Sequence, residues 1–372
     1  PAPMNIQTEI DSFSEKPSGN AKPFAEVVFN LPLREAFTYK IPPQLLGKVR
    51  VGMRVLVPFG RRRITGYVVN LTDKWDKPIR LKSIVELPDT EPIVSAELLS
   101  LTRWLGEYYQ SSWGEAISAA LPAGLDKAGY QLVKSVRLAS SLPDEKEIER
   151  LLKRSPKQKS VFDLIRQKEI NLPELQTRIP KSQAALRSLK EKQLVEVYTE
   201  KKVREAFVPE NAMTQPFGAS LTFTPEQQAI FKKLSLAIET EKFESFLLHG
   251  VTGSGKTEIY IRCIQRVLEK GKTAIMMVPE ISLTPQTVER FRQRFGDRVA
   301  ILHSGLSQTE RYLEWKKIRD EKVSIAVGAR SAVFAPFKNL GIVVIDEEHD
   351  SSYKQDSNPR YHARDTAVMR AQ

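Results

Sequence analysis

The run Gly250-Val251-Thr252-Gly253-Ser254-Gly255-Lys256-Thr257 spells G-x-x-x-x-G-K-T in full. Such a loop wraps backbone N–H groups around a chain of phosphates, and the positive end of the following helix adds to the attraction. The geometry requires a strand on one side and a helix on the other. The apolar run SFLLHG (245–250) before the loop and an amphipathic stretch after it fit that junction. Part of the chain is therefore expected to be an α/β, doubly wound nucleotide-binding unit. In this arrangement Lys256 reaches the β- and γ-phosphates, and the Thr257 hydroxyl holds Mg²⁺.

The segments TAIMMVP, RVAILH, SIAVG and GIVVID read as strands of a buried parallel sheet. The last ends in Asp346-Glu347-Glu348-His349, which places acids at a strand tip. Asp346 is suited to hold Mg²⁺ and Glu347 to polarise an attacking water. A surface acidic cluster is the competing reading, and the strand-end position argues against it. His349 is read as coupling nucleotide state to a second ligand, with a plain surface histidine as the alternative. Upstream, Thr224-Pro225-Glu226-Gln227-Gln228 offers amides that can read an adenine edge, Gln227 before Gln228, which makes the nucleotide ATP. A polar helix N-terminus is the competing reading, and the phosphate loop downstream favours adenine recognition.

The formal charge of +12, from 57 Lys and Arg against 45 Asp and Glu, favours a phosphate-rich partner. One cysteine, Cys263, excludes a disulfide framework and a cysteine zinc site, and its apolar neighbours Ile261, Ile264 and Val267 mark it as a buried side chain. No apolar run approaches the ~20 residues that span a bilayer. Residues 1–23 are polar and carry Glu9, Asp11 and Glu15, so a disordered leader on a cytoplasmic protein is expected.

Two further regions precede the nucleotide-binding unit. From 24 to 125, AEVVFNL, FTYKI, MRVLVPF, TGYVVNL and KSIVEL read as short strands of a small antiparallel unit, followed by a helical extension with Val94, Leu98, Leu101, Leu105 and Tyr108 at helical spacing. From 140 to 205, Ser155 and Pro156 open a helix, two further helices follow, and LVEVYTEKKVR closes the unit as a strand. Helices followed by a β-ribbon make a winged helix, which either grips DNA or serves as a spacer. The nucleotide-binding unit occupies 216–372.

PEISLTPQ (279–286), LHSGL (302–306), GARSAVFAPF (328–337), DEEHDSSYKQ (346–355) and RYHARD (360–365) resemble the PriA family, the primosomal replication-restart helicases of bacteria. The resemblance runs from about Phe24 to Gln372. It implies an ATP-dependent 3′→5′ DNA helicase with a RecA-like lobe, here without the second lobe, so that the chain alone binds DNA but unwinds little. The alternative is a fork-binding module without catalysis. Residues 279–286 and the 328–334 loop are implied to touch single-strand backbone. Arg330 either contacts a phosphate or makes a structural ion pair. Tyr353, Lys354, Arg360, Tyr361 and His362 resemble the family's aromatic-rich loop, where bases stack, although packing would use the same rings. Phe37, Thr38, Gly60 and Lys82 align with the pocket for a 3′-terminal nucleotide. Thr38 stands where some members carry an acid, which weakens the expected contact to the 3′-hydroxyl. Arg61-Arg62-Arg63 either grips phosphates or is a solvated turn. Branched and single-stranded DNA, single-strand-binding protein and primosome proteins are the implied partners of a monomer, and the family's zinc sites fall outside this chain.

Overall fold

The computed structural model describes residues 13, 22–75, 78, 80–123, 125, 131–139, 141–153, 155–202, 222–251 and 253–372. The leader expected over 1–23 falls almost wholly outside them, as does Thr252 of the phosphate loop. The chain forms two compact units, Pro1–Leu125 with Phe207–Gln372 and Asp126–Ala206.

In the first unit, β1 (Phe24–Val28), β2 (Phe37–Lys40), β3 (Arg54–Phe59) and β4 (Arg62–Thr72) form an antiparallel sheet in the order β2-β1-β4-β3. The fifth expected strand, KSIVEL, contributes only the isolated bridges Lys40↔Ser83 and Leu56↔Glu86. Helix α1 (Ala96–Tyr108) starts at Ser95, whose side chain accepts from the Leu98 N–H, and buries Leu98, Leu99, Leu101 and Leu105. Helix α2 (Trp113–Ala120) opens with a reciprocal Ser112/Glu115 capping box. Its Gly114 lies so close to β1 that an added Cβ would meet the Phe29 carbonyl oxygen at 1.8 Å. Close approach, rather than turn geometry, demands glycine there.

The same unit contains β8 (Thr273–Met277), β9 (Val299–Leu302), β10 (Ile325–Gly328) and β11 (Leu340–Ile345), all parallel in the order β11-β8-β10-β9. The four apolar runs read as strands after the phosphate loop are all strands. The run SFLLHG is not one: residues 243–250 have no regular structure and Leu247 is 78% exposed. A strand needs an adjacent edge to satisfy its N–H and C=O groups, and no described strand pairs with this run. β11 is consequently a half-buried edge rather than a fully buried strand. Helices α7 (Pro225–Thr240), α8 (Lys256–Glu269), α9 (Pro285–Phe295), α10 (Gln308–Arg319) and α11 (Ala363–Ala371) complete this part. Leu98, Leu105 and Ile117 of the β-rich half share one apolar core with Met277, Ala332, Phe334, Tyr353 and Tyr361 of the α/β half.

The second unit has the sheet order β6-β5-β7, from Ile170–Asn171, Gln131–Leu138 and Val195–Lys202. Four helices pack on it: α3 (Glu145–Leu152), α4 (Pro156–Gln167), α5 (Leu172–Arg178) and α6 (Gln183–Glu191). Pro156 is at the first helical position as expected, but Ser155 makes no side-chain cap bond. The ribbon also draws its second strand from ahead of the helices. Val161, Phe162, Ile165, Leu175 and Leu189 form the core. Lys192, just after α6, donates to the Leu151 carbonyl at 2.8 Å and to Gln158 at 2.7 Å.

Candidate nucleotide and DNA sites

Helix α8 begins directly after Gly255, whose φ of +84° is the left-handed conformation that a side chain would resist. The helix buries Ile259, Cys263, Ile264 and Val267, which fixes its first turn over the sheet. Burial pushes the Cys263 thiol up to about 12, consistent with an inert core residue. At the open end of α8, the Lys256 ammonium donates to the Gly250 carbonyl at 2.7 Å and to that of Val251 at 3.3 Å, and stands 3.8 Å from the Glu347 carboxylate.

Tyr260, one turn further along α8, hydrogen-bonds the Asp346 carboxylate. The phosphate loop and the acidic end of β11 therefore meet on one edge of the sheet. Burial holds the Asp346 carboxyl above the ordinary carboxylate range, the Glu347 charge raises it further, and Lys256 and Tyr260 oppose the shift. Glu347 has φ +45°, a strained conformation for a residue with a side chain. His349 is exposed, with Nδ1 3.9 Å from Glu347.

Gln227 does something other than wait for adenine. Its Oε1 accepts from the Thr224 N–H at 3.0 Å, closing a capping box on α7, and its Nε2 donates to the Ser254 carbonyl at 2.9 Å. Each amide atom makes one bond here, which leaves one N–H and one lone pair for a further partner.

The loop after β11 also corrects an expectation. Tyr353 is fully buried and Tyr361 is 1% exposed, so neither ring presents a face on which a base can stack. The Tyr353 hydroxyl donates to the Asp346 carbonyl at 2.8 Å, and the Tyr361 ring packs edge-on against Phe334, 5.2 Å between centroids. Packing claims these rings because they close the core beneath the β11 turn. Arg330 is committed too, donating to the carbonyls of Ser352 at 3.1 Å and Lys354 at 2.7 Å instead of forming an ion pair. Lys354 donates to the Arg360 carbonyl at 2.5 Å and sits 4.9 Å above the Tyr109 ring, while Arg360 itself is exposed. Around this loop, segments 279–286, 302–306 and 328–334 converge on a cleft of about 360 Å³, with His303, Arg311 and Ser331 on one wall and Asn30 and Ser118 of the β-rich half on the other.

In the β-rich half, Phe37 packs at 5.5 Å from Phe59 and 5.7 Å from Phe29. The Lys82 ammonium lies 3.4 Å from the Gly60 carbonyl. Thr38 is half-buried on β2, directly across from Glu26. The structure thus brings Phe59 and Gly60 of the β3–β4 turn next to Phe37 and Lys82.

A family model described as the 3′DNA-binding domain (3′BD) matches residues 26–122, and one described as DEAD/DEAH box helicase matches residues 224–369. The replication restart protein PriA of Bacillus subtilis (strain 168) is 37% identical over 422 positions, covering 94% of this chain and 52% of that protein. Its counterpart in Haemophilus influenzae is 36% identical over 359 positions, covering 93% and 47%. That of Synechocystis is 33% identical over 442 positions, covering 97% and 52%. The chain belongs to the PriA family. It spans about half the length of the PriA relatives it matches.

Within this PriA-family chain, sequence reasoning passed over several residues that the structure places at these sites. Tyr260 was detectable, since it sits four residues after Lys256 on the same helical face. Glu26, Tyr109 and Asp365 were not, because their contacts depend on strand register and on packing across hundreds of residues of sequence. Among the described residues no group of three or more His, Cys, Asp or Glu side chains is placed to hold a metal ion, and no helix is long and apolar enough to cross a membrane.

Proposed function

We propose that this chain supplies the DNA-recognition and ATP-binding part of a cytoplasmic, ATP-dependent 3′→5′ helicase that restarts replication at stalled or repaired forks. Residues 24–125 capture the 3′ end, 140–205 act as a winged helix, and 216–372 form a RecA-like lobe. The observation that carries the reading is the meeting of Lys256 with Glu347 at 3.8 Å while Tyr260 holds Asp346. Backbone N–H groups of Gly250, Val251, Gly253, Ser254 and Gly255 cradle the phosphates, with Thr252 in the same loop. Lys256 then exchanges its carbonyl partners for phosphate oxygens.

One carboxylate and one hydroxyl are few ligands, which suits Mg²⁺: it keeps several waters and is completed by the nucleotide's own phosphates. Thr257 and Asp346 would hold that ion, which would offset charge on the phosphates. Glu347 orients the attacking water. His349, beside Glu347 and exposed, is placed to relay nucleotide state to DNA. The cleft of about 360 Å³ takes single-strand backbone, and the exposed Arg360 adds charge to the loop that contributes Gln355, Asn358 and Tyr361 to its lining. Phe37, Thr38, Gly60 and Lys82 receive the terminal nucleotide. Single-strand-binding protein and primosome components are the partners this reading implies.

The experiment is anisotropy with forks whose leading strand ends in 3′-OH or 3′-phosphate, alongside binding of a fluorescent ATP analogue. Preference for 3′-OH together with analogue binding that Lys256→Ala abolishes is expected. Equal affinity for the two ends overturns the end pocket, and analogue binding that survives in Lys256→Ala leaves a fork-binding module without nucleotide chemistry.

A further inference from the structure

We propose that a second cleft in the β-rich half takes an unpaired nucleotide next to the captured 3′ terminus, a site distinct from Phe37, Gly60 and Lys82; the proposal rests on the DNA-end reading above. The cleft has a volume of about 630 Å³ and lies between the β1–β4 face and the turn joining α1 to α2. That size suits a nucleotide-scale ligand. Its floor is apolar, with Val28, Val51 and Val69 beside the Trp113 indole.

The polar groups at its rim are of the kind that read a base. Asn70 donates to Glu26 Oε2 at 3.0 Å, which fixes the carboxylate over the floor. Gln110 Oε1 accepts from Arg34 at 3.2 Å, which holds a guanidinium at the mouth. Ser111 also lines the cleft. Ser111 is 7% exposed and its hydroxyl has no hydrogen-bond partner.

The cleft also accepts a flat ring. Phe13 packs against Trp113 with 6.1 Å between centroids, and the Arg103 guanidinium covers the indole at 5.5 Å. A nucleobase offers the same flat face and stacks on an aromatic ring irrespective of sequence. Strand register connects the cleft to the 3′ end. Glu26 pairs with Thr38 across β1 and β2, so the two side chains share one sheet face at neighbouring positions. A terminal nucleotide at Thr38 therefore directs its neighbour towards Glu26. The Glu26 carboxylate favours bases with an exocyclic amino group and disfavours thymine, whose pairing edge has one N–H between two carbonyls.

The test uses the full chain and a labelled oligonucleotide with an unpaired 3′-OH end, carrying one abasic residue at each of the last few positions in turn. One position inside the terminus is expected to lose about tenfold in affinity in the unmodified protein, the scale of one base–aromatic stack. Glu26→Gln and Asn70→Ala are expected to reduce that loss by about twofold to fivefold, the scale of one hydrogen bond, with the Trp113 stack remaining, while keeping the penalty for an abasic terminal residue, which also shows that the fold is intact. Abasic losses that match at every position in the unmodified protein and both variants overturn the proposal. Comparison with a 3′-phosphate oligonucleotide separates the two claims. Loss of 3′-OH preference with the internal coupling retained removes the end pocket and leaves the cleft, whereas the converse removes the cleft alone.

Discussion

The Tyr109 hydroxyl donates to the Asp365 carboxylate at 3.2 Å and accepts from the His362 N–H at 3.1 Å. Tyr109 caps the C-terminus of α1 in the β-rich half, whereas His362 and Asp365 open α11 in the α/β half. One phenol thus joins the β-rich half to the loop that follows the DEEH turn. Burial first, and the Asp365 charge second, push its pKa up to about 12.

Tyr109→Phe should leave the His362 N–H and the Asp365 carboxylate without this partner. An unfolding free energy lower by about 1–2 kcal/mol is expected, the cost of a lost partly buried hydrogen bond. Urea titration with tryptophan fluorescence measures it. The sign of the pH effect also follows. A tyrosine with a raised pKa contributes stability that is present below its unfolded pKa near 10 and is lost as pH rises through the folded value. Unmodified protein should therefore lose stability between about pH 10 and 12, and Tyr109→Phe should lose less over that range.

Asp89→Ala tests the buried ion pair in the β-rich half. Arg54 Nη2 lies 2.7 Å from Asp89, with the two side chains 10% and 7% exposed, and the Arg54 N–H donates to the same carboxylate at 2.9 Å. Removing the acid strands a guanidinium in the interior, and a loss of about 3–5 kcal/mol is expected by denaturant titration.

Asp346→Asn should separate stability from function. The raised carboxyl pKa means that ionised Asp346 is unfavourable in the folded chain, with stability fully present below about pH 4 and falling as pH rises through the shifted value. The neutral amide escapes that cost. A higher melting temperature at pH 7 than the unmodified protein is expected in scanning calorimetry without nucleotide, together with weaker Mg²⁺-nucleotide binding.

Gln227→Glu keeps an oxygen for the Thr224 N–H but loses the donor to the Ser254 carbonyl. A stability lower by about 1 kcal/mol for the lost bond to Ser254 and roughly tenfold weaker ATP-analogue binding, equivalent to about 1.4 kcal/mol, are expected. Gln227→Ala should lose stability as well, by about 1 kcal/mol for the broken cap.

Much of this was legible from residues alone, and the parts that were not share a cause. The phosphate loop, the four parallel strands and the α1 stripe of leucines are local patterns, and local patterns survive folding. Whether Tyr353 faces DNA or the core is not a local property, since a ring in a loop has no periodicity to report its direction. Whether 245–250 becomes a strand depends on an edge elsewhere. Gln227 fits two readings at once, a cap on its own helix and a reader of adenine, and its bond to the Ser254 carbonyl is visible only once the chain is folded. Glu26 carries no motif: its relation to Thr38 exists in the pairing of β1 with β2.

The central claim is that the Thr257 hydroxyl and the Asp346 carboxylate share one magnesium beside a triphosphate held by Lys256. Calorimetric titration of a non-hydrolysable ATP analogue, with and without Mg²⁺, tests it in the unmodified chain, Thr257→Ala, Asp346→Asn and the double variant. Mg²⁺ should tighten binding to the unmodified chain, each single variant should lose most of that gain, and the double variant should lose no more than either alone. Full retention of the Mg²⁺-dependent gain in Asp346→Asn would contradict the account.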